Sequence, residues 1–191
     1  MTSKKYHHGD LRAAALKTGM RLLKKRAVDE LGLRELAREV GVSATALYRH
    51  FPDKNALLTA LAYQAADSLG EVQKTAAARA GGGRKGFEAM GAAYVKFAID
   101  NPALFRLMFR KAPDIDLLSA DLEDVGSAHR GLRETIISLT PDTMTDQQRK
   151  TTALRAWSLV HGLACLILDE QIEYDPKLIK AVATSKAVLA D

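Results

Sequence analysis

Apolar residues recur at three- and four-residue intervals along most of the chain, which is the spacing of amphipathic α-helices. This pattern predicts about nine helices and no strand. Alanine and leucine dominate, and aromatic residues make up only 6% of the chain, a composition that favours packed helices over sheets. We therefore expect an all-α fold. The predicted helices span residues 10–26, 33–40, 43–50, 54–79, 87–97, 102–109, 117–139, 147–170 and 176–189.

The segment 33–51 has the pattern of a helix-turn-helix. Its first helix ends at Gly41, a residue that accepts the left-handed conformation of a helix stop. Ser43 is a good N-cap for the second helix, which ends before Pro52. The second helix of this motif enters the major groove of duplex DNA, so its outward side chains are candidates for DNA contacts. By their spacing these are Ser43, Ala44, Thr45, Tyr48, Arg49 and, at the edge, His50.

Positive charge is concentrated in the first third of the chain. Residues 1–60 hold 12 Lys and Arg against 6 Asp and Glu, whereas the remaining 131 residues hold 16 against 17. The net charge of +5 therefore comes from the N-terminal part alone, which indicates a polyanionic partner. Nucleic acid is the leading candidate, and an anionic membrane surface bound through the basic helix 10–26 is the alternative.

Several other classes of protein lack their usual signals. The most apolar stretch, 159–168, is interrupted by His161 and has about half the roughly 20 residues that span a bilayer. The polar N-terminus is unlike a secretory signal, and the single Cys165 cannot close an intrachain disulfide, so we expect a cytoplasmic protein. A nucleophile elbow, a zinc signature and a P-loop are absent, and we expect no enzyme activity, cofactor or metal.

The run from Leu33 to Leu58, with the basic helix before it, resembles the DNA-binding region of the tetracycline-repressor (TetR) family of bacterial transcription regulators. The resemblance covers about residues 8–60 and implies phosphate contacts from Tyr48 and Lys54. Two positions depart from the family pattern. Ala27 stands where the family often has glycine, and Gly32 stands where it often has a Ser or Thr cap, so residue 32 supplies no hydroxyl to a phosphate.

Two further groups of basic residues complete the candidate DNA interface. Arg34 lies near the start of the helix 33–40. Lys4 and Lys5 form either an arm that reaches phosphates or the minor groove, or a solvated tail.

The C-terminal part carries a second resemblance, to a family subgroup named for the Trp-His-Gly residues of its C-terminal domain. The segments 6–12, 101–110 and 157–162 are similar to it. The family implies a homodimer, here through about 151–168 and 178–189, and a pocket for a small-molecule effector. At helical spacing such residues are core by default, but those that can line such a pocket are Phe87, Tyr94, Phe97, Phe105, Met108, Phe109, Trp157 and His161.

These observations predict two domains: a helix-turn-helix DNA-binding domain at residues 1–53, and a helical bundle at 54–191 that binds the effector and dimerises. The predicted function is that of a ligand-responsive transcriptional regulator, by family habit a repressor, that binds a palindromic operator as a homodimer. Ligand binding among residues 85–165 would shift the helix 54–79 and change the separation of the two recognition helices. The alternatives are a helical small-molecule-binding protein or enzyme without a regulatory role, and the membrane-surface binder.

Overall fold

The computed structural model describes residues 8–111, 120–123 and 125–189, with side chains from Leu11 onward. Within these residues it has nine α-helices and no strand, so the predicted all-α fold is confirmed. Two 3₁₀ turns, Val28–Glu30 and Ser185–Ala187, complete the regular structure. The helices are α1 (His8–Leu23), α2 (Leu33–Val40), α3 (Ala44–Tyr48), α4 (Lys54–Arg79), α5 (Gly83–Asp100), α6 (Pro102–Arg110), α7 (Ser127–Leu139), α8 (Asp146–Leu168) and α9 (Pro176–Val182).

The chain divides into two compact units. The first consists of Met1–Ala65 and Asn101–Ala112, and the second of Ala66–Asp100 and Pro113–Asp191. The long helix α4 contributes residues to both units, and α6 belongs to the first unit although it lies far along the sequence. The domain boundary at residue 53 was drawn from the helix-turn-helix motif and stays a prediction.

The first unit packs its helices around a core made largely of leucine. Helix α2 contributes Leu36 and the small Ala37, and α3 contributes Leu47, all buried. At Gly19, α1 runs so close to α4 that a Cβ would lie 2.9 Å from a methyl group of Leu61. The largest side chains that this unit buries almost completely are Leu23, Leu31, Leu36, Leu47, Phe51, Leu57, Leu61, Leu104, Phe105 and Leu107.

Local hydrogen bonds set the ends of the helices around the predicted turn. Gly41 has φ +81°, and the next N–H, from Val42, returns to the carbonyl of Ala37 at 2.9 Å. The Ser43 hydroxyl accepts from the N–H of Ala46 at 3.2 Å, which caps α3. The carboxylate of Asp53 caps α4 in the same way, accepting from Ala56 at 2.7 Å. The predicted helix stop at Gly41 and the predicted cap at Ser43 are therefore confirmed.

The second unit is built on α5 and α8, with α7 and α9 packed against them. Its C-terminal segment is held by Glu88 of α5. One oxygen of this carboxylate accepts from the backbone N–H of Ser185 at 2.9 Å, from the Ser185 hydroxyl at 2.8 Å and from the Thr184 hydroxyl at 3.3 Å. The core cluster of this unit includes Phe87, which precedes Glu88 in α5, and Val188, three residues after Ser185, together with Ile136 of α7.

Two predicted helix bounds in this unit are wrong, and long-range hydrogen bonds explain both. The helix expected from residue 117 begins at Ser127. The side chains of Arg133 and Arg130 donate to the carbonyls of Ala120 and Leu122, so hydrogen bonds from α7 hold this segment as a loop. Residues 117–119 lie outside the described part. The last helix ends at Val182 rather than at residue 189. The N–H of Ser185 donates to the carboxylate of Glu88, so it is not used in a helical hydrogen bond.

The composition of the glycine-rich stretch 80–86 predicts a flexible linker, but the structure has a tight turn there. Helix α5 begins at Gly83, three residues earlier than the stretch ends. Gly81, Gly82 and Gly83 have φ values of +83°, +70° and +58°, which side-chain-bearing residues rarely adopt. The glycines therefore allow a sharp reversal between two long helices.

Helix α8 is long and apolar enough to cross a membrane if only length and composition are considered. Of the most apolar 18-residue stretch of this helix, 39% is buried inside the protein. It packs against α5, α7 and α9 as the central helix of the second unit. The core helix of a globular protein meets the same criteria, so the feature is weak support for a membrane span.

Replacing Gly41 with valine should destabilise the protein more than replacing it with asparagine. A Cβ at residue 41 would meet open space among the described residues, so neither variant should clash with a neighbour. The two variants differ mainly because asparagine adopts a positive φ more readily than valine does. We expect a loss of about 1–2 kcal/mol for Gly41→Val and a clearly smaller loss for Gly41→Asn. Urea denaturation followed by circular dichroism measures both. Equal losses would contradict the role given to the left-handed turn.

The contact of Glu88 should make stability depend on acid pH. Hydrogen bonds from the backbone and hydroxyl of Ser185 hold the pKa of Glu88 below its usual 4.5, so its stabilisation is present above that value and is lost as pH falls through the lowered pKa. Near neutral pH, Glu88→Gln should lower the free energy of unfolding by about 1 kcal/mol. This is less than the loss expected for a fully buried charged hydrogen bond, because the carboxylate is partly exposed.

As the pH falls below 4.5 and through the lowered pKa of Glu88, the difference in unfolding free energy between Glu88→Gln and wild type should shrink. Thermal or urea unfolding at several pH values measures it. Glu71→Gln, at an exposed position of α4, is the matched control. A difference between Glu88→Gln and wild type that is the same at all pH values would show that the carboxylate charge has no part in the contact.

Candidate functional site

Three side chains predicted to meet DNA converge on one shallow depression of the first unit. Arg34 comes from the first turn of α2, Tyr48 from the end of α3 and Lys54 from the start of α4. The depression has a volume of about 370 Å³ and is open to solvent. Arg34, Tyr48 and Lys54, from three different helices, are therefore neighbours on one surface of the unit. Its lining residues are Gly32, Leu33, Arg34, Tyr48, Pro52, Asp53 and Lys54.

Helix geometry adds to the positive character of this depression. Gly32 is the N-cap of α2 and makes no side-chain cap, so the positive end of the α2 dipole opens onto the depression. The ammonium of Lys54 donates to the carbonyl of Asp29 at 2.7 Å, which positions it and uses one of its three protons. Asp53 contributes a negative charge at the rim, but its carboxylate is occupied as the cap of α4.

Helix α3 presents the side chains that the motif predicts to lie outward. Thr45 and Arg49 are exposed, and Tyr48 is 42% exposed. Ser43 is also exposed, whereas Ala44 and His50 are half-buried. On the opposite face of α3, Leu47 is buried in the core of the unit. The contacts of these residues with DNA stay predictions, and Lys4 and Lys5 lie outside the described residues.

Ion pairs join α2 to α1 and to the segment that follows α1. Arg21 bonds Glu39 at 2.8 Å, and Arg26 bonds Glu35. Both acidic residues of α2 are thereby paired with bases from the preceding segment. Sequence reasoning missed these pairs because they join residues 18 and 9 positions apart.

In the second unit, three of the predicted effector residues form a hydrogen-bonded row. The indole N–H of Trp157 donates to the Tyr94 oxygen at 3.1 Å, and that oxygen lies 2.8 Å from Nδ1 of His161. The ring of His129, from α7, packs edge-on against Trp157 at 5.8 Å. Burial lowers the pKa of His161 and of His129 and raises the pKa of Tyr94, so all three groups are neutral near pH 7.

The other predicted effector residues do not join this row. Phe87 belongs to the core cluster, and Phe97 is buried elsewhere in α5. Phe105, Met108 and Phe109 fall in the first unit, where the rings of Phe105 and Phe109 stack edge-to-face at 5.0 Å. The eight residues are thus divided between the two units, and their roles in ligand binding stay predictions.

Sequence reasoning did not single out Gln73, which lies on the buried face of α4. Its amide N–H donates to the Met90 carbonyl at 3.4 Å, while its Oε1 has no partner among the described residues. A glutamine at an otherwise apolar position of a helix is the signal that marks such a residue. Among the described residues, no group of three metal-ligating side chains is close enough to hold an ion.

The chain matches two family models. Residues 15–61 match the model described as bacterial regulatory proteins of the tetR family, and residues 87–185 match a tetracyclin repressor-like C-terminal domain. A protein of unknown function from Rhodococcus sp. RHA1 is similar at 31% identity and a TM-score of 0.72, over 97% of this chain and 95% of that one.

Two more distant solved structures share the fold. One is a tetR-family transcriptional regulator from Streptomyces coelicolor, with 20% identity and a TM-score of 0.67 over 92% of this chain and 78% of that one. The other is the multidrug binding protein EbrR complexed with imidazole, with 16% identity and a TM-score of 0.62 over 94% and 96%. From both family matches and the architecture, this chain belongs to the TetR family of bacterial transcription regulators, with its DNA-binding helix-turn-helix in α2 and α3.

Proposed function

We propose that this protein is a ligand-responsive transcriptional repressor that binds a palindromic operator as a homodimer. The observation that carries the proposal is the convergence of Arg34, Tyr48 and Lys54 on one depression beside the exposed face of α3. Phosphate contacts position a protein on duplex DNA, and the recognition helix reads base edges in the major groove. The depression supplies phosphate donors, and Thr45 and Arg49 supply groups that can reach bases.

An apolar stripe on α8 supports the homodimer. Leu159 is 38% exposed and Leu166 is 47% exposed, and they lie two helical turns apart on the same face. Gly162 lies between them, and a Cβ there would meet open space among the described residues. Leu178, on α9, is also exposed. Exposed leucines on α8 and α9 suit a second copy packed through about 151–168 and 178–189.

Two-fold symmetry then determines the form of the operator. Two recognition helices related by a two-fold axis require half-sites of opposite direction, centred one helical turn apart or about 34–36 Å. The operator is therefore a palindrome or close to one.

The second unit is the proposed site for the effector. The neutral row of Trp157, Tyr94 and His161 offers polar groups within an apolar bundle, the usual composition of small-molecule sites. EbrR, which shares the fold, is a multidrug binding protein solved with imidazole. Helix α4 is continuous from Lys54 to Arg79 and contributes to both units, so it is the proposed path of coupling. A coupling of about 1–3 kcal/mol would change operator affinity by about 5–150-fold.

The remaining assignments follow from this role. We place the protein in the cytoplasm and assign it neither enzyme activity nor a cofactor. We assign it to the Trp-His-Gly subgroup because of Trp157, His161 and Gly162. The domain division into 1–53 and 54–191 is part of the same proposal.

The direct test is binding to the DNA that flanks the protein's own coding sequence. Fluorescence anisotropy with short duplexes should find one palindromic segment bound about 10³-fold or more tightly than an unrelated duplex at equal salt. Similar affinities for all duplexes would overturn the proposal of operator recognition. The same assay with candidate ligands tests the response to an effector.

Two substitutions should separate base reading from phosphate binding. Arg49→Ala should weaken operator binding by about 1–3 kcal/mol and leave binding to unrelated DNA nearly unchanged. Lys54→Ala should weaken both by similar factors and reduce the slope of log affinity against log salt by about one. Lys74→Ala, an exposed lysine of α4 in the second unit, is the matched control and should change neither. If Arg49→Ala lowers both affinities equally, Arg49 contacts phosphate instead.

Charge placed on the α8 stripe should dissociate the dimer. Leu159→Glu combined with Leu166→Glu buries two like charges in the proposed interface and should convert a dimer at micromolar concentration to a monomer in sedimentation velocity. Ile137→Glu is the matched control, since Ile137 is equally exposed, at 39%, but lies on α7. A wild-type monomer, or a double variant that stays dimeric, would contradict this interface.

A further inference from the structure

Gln73 has a buried hydrogen-bond acceptor without a partner. The residue lies in α4 and is 7% exposed, and its Oε1 has no hydrogen-bond partner among the described residues. Its amide nitrogen makes a long hydrogen bond, to the Met90 carbonyl at 3.4 Å. A buried polar atom that lacks a partner lowers stability, so its presence in a folded protein needs a reason.

Neither rotation of the amide nor a neighbouring hydroxyl supplies the missing partner. If the oxygen and nitrogen of Gln73 were exchanged, two acceptors would face each other at the Met90 carbonyl. Thr135, which contacts the Met90 sulfur, donates its hydroxyl proton to the carbonyl of Gly131 at 2.8 Å. The site therefore lacks a donor.

Close helix contacts hold α4 in place on both sides of Gln73. A Cβ at Gly70 would come within 2.6 Å of the Ser127 hydroxyl oxygen, so α4 and α7 are in contact one turn before Gln73. A Cβ at Gly86 of α5 would lie 3.2 Å from the carbonyl oxygen of Ala77, one turn after Gln73. These contacts fix the distance of α4 from its neighbours, so the helices cannot shift to give Oε1 a partner.

The packing next to Gln73 leaves room for a small molecule. Met90 lies between Gln73 and α7, where the Thr135 hydroxyl is 3.4 Å from its sulfur. One turn before Thr135, a Cβ added at Gly131 would meet, among the described residues, only the terminal methyl of Met90, at 4.0 Å. A methionine side chain is flexible, so Met90 can move aside where a more rigid residue could not.

We propose that Gln73 holds the effector, and that its Oε1 accepts a hydrogen bond from an uncharged molecule with an N–H donor, such as an amide, a lactam or an azole. The regulatory role of this ligand rests on the proposed function, whereas its binding at Gln73 does not.

The charges near Gln73 determine the class of ligand. A buried cation needs a carboxylate beside it, and an anion would face one more acceptor. The carboxylate of Glu88, two residues before Met90, is already bound to Ser185. Asp67 of α4 is exposed and accepts from a hydroxyl of α7. An uncharged donor is therefore the partner that Oε1 can bind without a further charge.

A ligand at Gln73 would contact both the coupling helix and the neighbourhood of the polar row. Met90 and Tyr94 are one turn apart on the same face of α5, and Tyr94 bonds Trp157 and His161. Gln73 itself belongs to α4, which contributes to both units. Binding at Oε1 thus acts directly on the helix that we propose as the path of coupling.

The first test measures stability without ligand. Gln73→Met keeps the side chain length and removes both polar atoms, while the Met90 carbonyl keeps its regular helical partner within α5. The midpoint of thermal unfolding of the full chain should rise by about 2–4 °C, because an unpaired buried oxygen is lost. Gln147→Met, at an exposed position in the first turn of α8, is the matched control and should leave the midpoint unchanged. A lower midpoint for Gln73→Met would show that Oε1 is satisfied without ligand and would overturn the proposal.

The second test compares ligands that differ only in the donor. Isothermal titration calorimetry of the full chain measures affinity for benzimidazole and pyrrolidinone, each against its N-methyl derivative, which has no N–H. Wild type and Gln147→Met should bind at least one N–H compound about tenfold more tightly than its derivative. In Gln73→Met the two affinities should be about equal.

Three results of this titration would contradict the role of Gln73. They are a wild type that binds none of the compounds at millimolar concentration, equal affinities within each pair for wild type, and a wild-type ratio that persists in Gln73→Met. If circular dichroism shows that Gln73→Met is unfolded, Gln73→Leu is judged by the same ratio.

Operator binding separates this inference from the proposed regulatory function. The N–H compound that binds should change the operator affinity of wild type and leave that of Gln73→Met unchanged. If the compound binds through Gln73 but operator affinity stays the same, the proposed coupling through α4 fails and the ligand site stands. If wild type binds no operator, the regulatory function fails, whereas the ratio of ligand affinities still decides the role of Gln73.

Discussion

The left-handed turn at Gly41 is the constraint on which the arrangement of the first unit depends. Helix α2 ends there, and Ser43 begins to cap α3 only two residues later. With so short a connection the directions of the two helices are linked, and Leu36 and Leu47 are brought into one core. Arg34 and Tyr48, at opposite ends of this motif, line one depression as a result.

Helix α2 contains both acidic residues that are paired with arginines and a basic residue, Arg34, that lines the depression. The pairs Arg21–Glu39 and Arg26–Glu35 lie at the surface, where such pairs add little to stability. Their larger effect is on the sign of the local potential, because they neutralise the acids of α2 beside Arg34. Because each pair has no net charge, the basic excess of the first sixty residues is carried by residues outside these two pairs, Arg34 among them.

Local chemistry determined what could be predicted from the sequence. The stop at Gly41 and the cap at Ser43 involve neighbours within a few residues, and these features, like the bounds of α4, were predicted correctly. The start of α7 and the end of α9 depend on Arg133 and on Glu88, which lies 97 residues from its partner Ser185. The spacing of apolar residues along the chain gives no indication of such long-range hydrogen bonds. The four-residue spacing of Trp157 and His161 places them on one face of α8, but it does not indicate their link to Tyr94, which lies 63 and 67 residues away.

The N-cap of α2 has a genetic consequence. Because Gly32 provides no side-chain cap, the positive end of α2 in the depression comes from peptide groups. A point mutation can remove a guanidinium or a phenol, but apart from proline it cannot remove a backbone N–H. Part of the anion-attracting character of this surface is therefore insensitive to substitution. Random mutagenesis of this surface would reveal its side chains and leave its backbone contribution unseen.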